Sequence, residues 1–230
     1  RRSASFTNQT YRDKSVEIVT QMAREFGQKP GVIAWQIDNE FHASPDYSEE
    51  TEIRWHQWLK DKYSSIEELN QLWATDLWSQ TYQKFEQIPM PLSRMWHHPS
   101  LQLEWKRFSS EMVMEFQQLQ LDVIRQYSDR PISHGAMPGQ SFNYYKLFEN
   151  LDFVAVNNYH SFEVYERVVS NYERARGFGK GMHWLFETAP NNSGGGRQGR
   201  TFFLHQPDGS MKAALMMNFA LGGQGSMFWL

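Results

Sequence analysis

Five short apolar runs alternate with stretches of helical spacing, and that rhythm constrains the fold more than any other feature of the chain. The first run, Val32 to Ile37, follows Lys29-Pro30-Gly31 and leads into the polar Asp38-Asn39-Glu40, the pattern of a buried strand ending in a turn. Further strands are expected at Ile132 to His134, Phe153 to Val156, Met182 to Phe186 and Ser226 to Leu230. Between and before them, apolar residues recur at helical intervals over Tyr11 to Phe26, Ser48 to Tyr63, Ile66 to Trp73 and Leu101 to Tyr127. Shorter helical stretches are expected at Phe142 to Asn150, Phe162 to Arg176 and Met211 to Leu221. Ser65 and Glu68 form a capping-box signature ahead of one helix, and Trp78 to Pro99 reads as loop. Gly222 to Gly225 lacks the strand-before, helix-after setting of a phosphate loop and is expected to turn a helix into the last strand.

Strands that alternate with helices build a parallel sheet with crossover helices, the α/β class. Closed barrels of this kind carry their chemistry at the C-terminal ends of the strands. Asp38-Asn39-Glu40, His134, Asn157-Asn158-Tyr159 and Glu187-Thr188 all directly follow expected strands, which gathers them around one mouth. Five strands do not close a (β/α)8 TIM barrel. The chain opens on Arg1 without a strand and stops inside an apolar run. The expectation is therefore one partial barrel domain over residues 1–230, from about the end of strand three through strand eight.

Composition narrows the partners. A formal charge of −3, with no basic run, gives no electrostatic reason to bind nucleic acid or an anionic membrane. A neutral substrate fits that balance best. The chain has no cysteine, which excludes disulfides, a thiol nucleophile and cysteine-ligated zinc. His97-His98 has no ligand partners at metal spacing and reads as a surface or capping pair. Asn8-Gln9-Thr10 and Asn191-Asn192-Ser193 match the glycosylation triplet, with no signal peptide beside them. Aromatic residues make up 15% of the chain, nine of them Trp, more than a core alone requires; most pack the interior, and the remainder suit sugar faces.

Breaking a glycosidic bond needs one carboxyl group to protonate the leaving oxygen and a second to attack or stabilise the anomeric carbon from the opposite face. On the barrel arrangement Glu40 and Glu187 end the fourth and seventh strands, so their carboxylates converge. Taken alone, each glutamate reads first as a structural ion pair, and the pair in its sequence context shifts the reading toward chemistry.

The wording around them is more specific. Trp35-Gln36-Ile37-Asp38-Asn39-Glu40-Phe41 resembles the acid/base motif of glycoside hydrolase family 42 β-galactosidases. Similar stretches continue in order along nearly the whole chain: Arg1-Arg2 with Tyr11-Arg12, Trp58 to Tyr63, Leu69 to Trp73, Leu77 to Tyr82, Ile88 to Pro91, Leu151 to Val154 with Asn158-Tyr159, and Trp184 to Pro190. The resemblance implies a retaining enzyme with Glu40 as proton donor and Glu187 as nucleophile. It also implies that Asn39 holds the sugar 2-hydroxyl, that Tyr159 lies beside the nucleophile, that Arg1 contacts the sugar or nucleophile, and that Trp78 and Trp229 wall the pocket. The implied substrate is a β-galactoside or galacto-oligosaccharide, with β-fucosidase or α-L-arabinopyranosidase specificity, or a non-catalytic carbohydrate-binding fragment, as alternatives. No metal and no cofactor is implied, since the cysteine cluster that holds zinc in some members is absent. By the same resemblance the parent is expected to be a homo-oligomer, a trimer; a cytoplasmic location is expected separately from the resemblance. Departures are His134-Gly135 in place of a His-Asn pair, and a glycine-rich Asn191 to Gly199 in place of a Trp-containing stretch. Both bear on the leaving-group side. The family's later galactose-binding glutamate and histidine would fall beyond Leu230.

Overall fold

The computed structural model describes residues 5–42, 46–92, 94–137, 139, 143–159, 165–190 and 207–229. It opens with helix α1 (Gln9–Phe26) and strand β1 (Trp35–Asn39). There follow α2 (Glu49–Lys62), α3 (Ile66–Trp73), two short 3-10 turns (Thr75–Trp78 and Phe85–Gln87) and the long α4 (Pro99–Arg125). Strand and helix then alternate closely: β2 (Ile132–Ala136), α5 (Tyr144–Leu147), β3 (Val154–Asn157), α6 (Tyr165–Gly177), β4 (His183–Thr188), α7 (Ser210–Ala220) and β5 (Gly223–Phe228).

All five strands are parallel and lie side by side in chain order, β1-β2-β3-β4-β5. Consecutive parallel neighbours joined by helices make this an arc of a (β/α) barrel. Burial follows position in the arc. Every residue of β2 and β3 is buried, whereas β1 and β5, the two edge strands, keep exposed positions. Ile37, Ile132, Val154 and Val156 from the sheet meet Val113, Phe116 and Ile124 of α4, which gives the main core.

The helices begin where side chains can satisfy orphan backbone N–H groups. Asn8 Oδ1 accepts from Tyr11 N at 2.8 Å, Ser48 Oγ from Thr51 N at 3.3 Å, and Ser65 Oγ from Glu68 N at 3.2 Å. The Glu68 carboxylate reaches back to Ser64 N rather than to Ser65 N, so the expected box is closed one residue further out. His98 caps α4 through Nδ1, 3.2 Å from Ser100 N, and His97 Nε2 accepts from Leu92 N at 2.9 Å. His98 thus caps α4, while His97 braces the loop before it.

Between β1 and β2 the chain makes a long excursion in which α2 and α3 pack on the start of α4. Trp55, Leu59, Leu69, Trp73, Leu101 and Phe108 form its core. Trp58 Nε1 donates to Glu111 at 2.6 Å, Arg54 pairs with Glu115 at 2.6 Å, and Lys62 pairs with the buried Glu104. Much of the aromatic surplus is accounted for by this cluster.

Three expectations shift. β1 begins at Trp35 rather than Val32, because parallel pairing starts where Trp35 N reaches Pro131 O at 2.8 Å. The helix expected at Phe142 to Asn150 is the four-residue Tyr144–Leu147 among the described residues. The last strand starts at Gly223, inside the glycine segment expected to be a turn; only Gly222, with φ +99°, turns the chain. Among the described residues no helix is long and apolar enough to cross a membrane.

Candidate active site

Two strands carry an extra residue just before a glutamate. Pairing of β1 with β2 runs Gln36 to Ser133 and then Asn39 to Gly135, three steps against two. Pairing of β3 with β4 runs Val156 to Leu185 and then Asn157 to Glu187, so that Phe186 is the extra residue. Such bulges bend a strand and re-aim the side chain that follows. At β1 the turn is sharper still: Asp38 and Glu40 both adopt left-handed backbone, with φ 48° and 47°. For residues other than glycine that conformation costs on the order of 1–3 kcal/mol each.

The surroundings compensate locally. Asp38 Oδ1 accepts from Asn39 N at 2.6 Å and Glu40 N donates to Gly135 O at 3.0 Å. His134 spans the turn: one ring nitrogen, Nδ1, lies 2.8 Å from Ile37 O, and Nε2 accepts from Phe41 N at 3.2 Å. A carbonyl can only accept and an amide N–H can only donate, so this imidazole is the neutral tautomer protonated at Nδ1. Its ring stacks on Phe41 with centroids 4.2 Å apart. His134 thus grips the backbone on both sides of Asp38-Asn39-Glu40.

Around the glutamates the polar side chains interlock. Asn157 Nδ2 donates to Glu40 Oε1 at 2.9 Å and approaches Asn39 Oδ1 at 3.5 Å. Gln36 Nε2 donates to the same Asn39 oxygen and to Asp38 O, each at 2.9 Å. Tyr159 donates its hydroxyl proton to Glu187 Oε2 at 2.5 Å. Burial, the hydrogen bond to Glu187, and the negative charges of Glu187 and Glu40 all push the Tyr159 phenol above its ordinary range. It therefore stays a donor at every physiological pH, and it senses both carboxylates. Asn158 N to Glu187 O, 2.9 Å, ties the end of β3 to that of β4. The result is two half-buried carboxyl groups, Glu40 held by the Asn157 amide and Glu187 by the Tyr159 phenol.

Against this geometry, the family model Glyco_hydro_42, described as beta-galactosidase, matches residues 1–230. The chain belongs to glycoside hydrolase family 42. Family 42 relatives include Beta-galactosidase YesZ of Bacillus subtilis, 38% identical over 234 residues, and YesZ of Bacillus licheniformis, 36% identical; each alignment covers 100% of this chain. The chain spans about a third of the length of these relatives, 35% in both cases. Among solved structures, the beta-galactosidase of the psychrophilic Marinomonas ef1 superposes with a TM-score of 0.87 at 25% identity, covering 100% of this chain and 39% of that one. The beta-galactosidase of the haloarchaeon Halorubrum lacusprofundi gives 0.87 at 27% identity, with 100% and 38% covered. The arc of strands is thus a part of the family 42 TIM barrel.

Of the site residues expected from sequence, Glu40, Asn39, Glu187 and Tyr159 come together at the ends of β1, β3 and β4. Trp229 continues from β5, its N–H donating to Thr188 O at 2.8 Å, one residue past Glu187. Trp78 lies instead in the excursion, exposed, with its ring edge-on to Trp96 at 5.1 Å and to His98 at 6.1 Å. Arg1 and the glycine-rich Asn191 to Gly199 stretch lie outside the described residues. Sequence reasoning passed over Gln36 and Asn157. Asn157 stood in the polar cluster after an apolar run, but nothing local distinguished it from Asn158. Its neighbour turns away, donating to Val168 O and accepting from Asn171.

Proposed function

We propose that this site hydrolyses terminal β-D-galactosidic bonds with retention of anomeric configuration. In the first step Glu187 attacks the anomeric carbon while Glu40 gives its proton to the departing glycosidic oxygen; the C–O bond breaks and a glycosyl ester forms on Glu187. In the second, Glu40 takes a proton from water, the water oxygen attacks the same carbon, and Glu187 leaves as carboxylate. Asn39 holds the 2-hydroxyl, where hydrogen bonds strengthen in the transition state. Tyr159, a permanent donor, holds Glu187 at Oε2 and leaves the other oxygen to attack.

The observation that carries this reading is Tyr159, which is hydrogen-bonded to Glu187 and lies in the field of Glu40. Two strand-end carboxyl groups that share one phenol as a neighbour support a pair acting on one bond. The two YesZ relatives are named beta-galactosidases, which supports galactose as the sugar.

The test uses the full-length protein on aryl β-galactosides. Glu187→Ala should lose at least about 10³-fold in kcat, and azide should restore turnover with release of the α-galactosyl azide, because a small anion fills the place of the missing carboxylate. Equal activity of Glu187→Ala and wild type would refute the assignment of the pair. A wild type inert on β-galactosides, β-fucosides and α-L-arabinopyranosides alike would leave carbohydrate binding without catalysis.

A further inference from the structure

The amides beside Glu40 are not free to choose their orientation. Gln36 Nε2 sits 2.9 Å from the Asp38 backbone carbonyl, which can only accept, so a nitrogen must stand there. That nitrogen is also 2.9 Å from the Asn39 side chain, which must present its oxygen. The Asn157 atom facing that oxygen and Glu40 Oε1 is then necessarily the Asn157 nitrogen. One backbone carbonyl thus sets the direction of three side-chain amides in succession.

The last member bears a cost. Asn157 is fully buried, and its Oδ1 has no hydrogen-bond partner. A buried acceptor left unsatisfied has lost its water without replacement and weakens the fold. Turning the amide over would set its oxygen against two other acceptors, Glu40 Oε1 and Asn39 Oδ1, so the orphan persists. Glycine at 135 makes room for the arrangement: a Cβ there would stand 3.1 Å from both Asn157 Oδ1 and Gln36 Nε2. A polar group retained in this way, against the stability of the fold, marks a functional constraint.

Resting on the glycosidase reading above, we propose that Asn157 is a positioning residue for the acid/base: it occupies Glu40 Oε1, so that the catalytic proton is carried on Oε2. Through the shared oxygen of Asn39, the same relay turns the Asn39 NH2 outward, as a donor to the sugar hydroxyl. Among the described residues, the ionisable groups flanking Glu40 along the chain or across the strand ends are Asp38 on its own strand, His42 just beyond it, His134 on β2, Tyr159 after β3 and Glu187 on β4. Asn157 is the neutral donor among them that bonds the Glu40 carboxylate directly.

The test compares Asn157→Ala and the isosteric Asn157→Asp with wild type in the full-length protein, with Glu40→Ala measured alongside. Two quantities are read: kcat/KM on phenyl against 2,4-dinitrophenyl β-galactoside, and the alkaline limb of the kcat/KM profile. Dinitrophenolate leaves without protonation, so a defect in proton delivery falls on the phenyl substrate; general acid catalysis is worth about 10²–10⁴-fold. The Asn157 variants should lose at least about tenfold more on phenyl than on dinitrophenyl galactoside, a part of that range. Loss of a donor to the carboxylate disfavours its charged form, so the alkaline limb should move to higher pH in Asn157→Ala, and further in Asn157→Asp, which adds a like charge. If Asn157→Ala does not fold, Asn157→Asp supplies both readings. Equal losses on the two substrates with an unmoved limb would overturn the proposal and make Asn157 merely structural. If Glu40→Ala itself discriminates between the two leaving groups and the Asn157 variants do not, the inference alone fails. If Glu40→Ala does not discriminate either, the acid/base assignment fails with it.

Discussion

Tyr159 shows how much of the site's chemistry rests on single contacts. Its hydroxyl lies 2.5 Å from Glu187, and burial together with two nearby negative charges keeps the proton on the phenol. Hydrogen bonds to charged groups are worth roughly 1.5–3 kcal/mol, so Tyr159→Phe should lower kcat/KM on an aryl β-galactoside by about 10–100-fold with little change in melting temperature. A loss below threefold would mean that Glu187 is oriented without it. Gly135 is the complementary case, defined by what it lacks. A methyl group there meets Asn157 Oδ1 and Gln36 Nε2 at 3.1 Å and Asn39 Oδ1 at 3.4 Å. Gly135→Ala should therefore disturb Asn39 and Glu40 together, lowering kcat by about tenfold or more, since small misplacements of reacting groups cost up to about 10²-fold. Unchanged kinetics would show that the amides yield without consequence. Glu40 and Glu187 could be proposed from the residues because glycosidase chemistry requires carboxyl groups and both follow apolar runs. The roles of Gly135 and Asn157 were not, because they depend on contacts between strands that are distant in sequence.

At the scale of elements, local patterns were readable wherever their cause is local. Helix α3 spans Ile66–Trp73 as its periodicity and its Ser65 cap predict. Strand ends were displaced because parallel pairing, not the apolar run itself, defines them. Gly223 was taken for part of a turn, yet it must lack a side chain to remain in β5. An added Cβ would fall 2.3 Å from Asn218 Oδ1, which accepts from the buried His183 at 2.8 Å. Asp46, just ahead of α2, is anchored in a way no pattern announces. Asp46 accepts hydrogen bonds from Ser5, from Thr51 Oγ1 at 2.6 Å and from Ser48 N at 3.0 Å, joining the start of α2 to the chain ahead of α1. Burial raises the Asp46 carboxyl, but the hydrogen bonds from Ser5, Thr51 and Ser48 outweigh it and hold the group below its ordinary value. A depressed carboxylate stabilises the fold above its unfolded value, near pH 4, and that contribution is lost as pH falls through the lower folded value. Asp46→Asn should accordingly destabilise the protein at pH 7 and narrow its gap from wild type as the solution is acidified below pH 4. Denaturant melts across that range check the sign, and a gap that widens on acidification would contradict it.

Among the described residues the strands form an arc with two unpaired sides. A closed eight-stranded barrel has no edges, whereas β1 and β5 here each present one, and all strands are parallel. Exposed apolar side chains gather along both. Beside β5 these are Met227, Phe228 and Trp229 with Met216 and Phe219 of α7; Ile33 precedes β1, and α1 exposes Ile18 and Met22. Unpaired backbone groups beside apolar surface make a template for association, and patches of that kind are rare on monomeric proteins. The family relatives are about three times as long, which leaves ample chain to close such a barrel in them. Expressed as these 230 residues alone, the protein should bind the dye ANS strongly and self-associate at micromolar concentration, as read by fluorescence and light scattering. The longer proteins YesZ of the two Bacillus species, measured alongside, should leave the dye dim. A monodisperse, dye-silent monomer of the 230-residue chain would mean that the arc covers its own edges. In that case the residues proposed for catalysis could be assayed on the isolated chain directly.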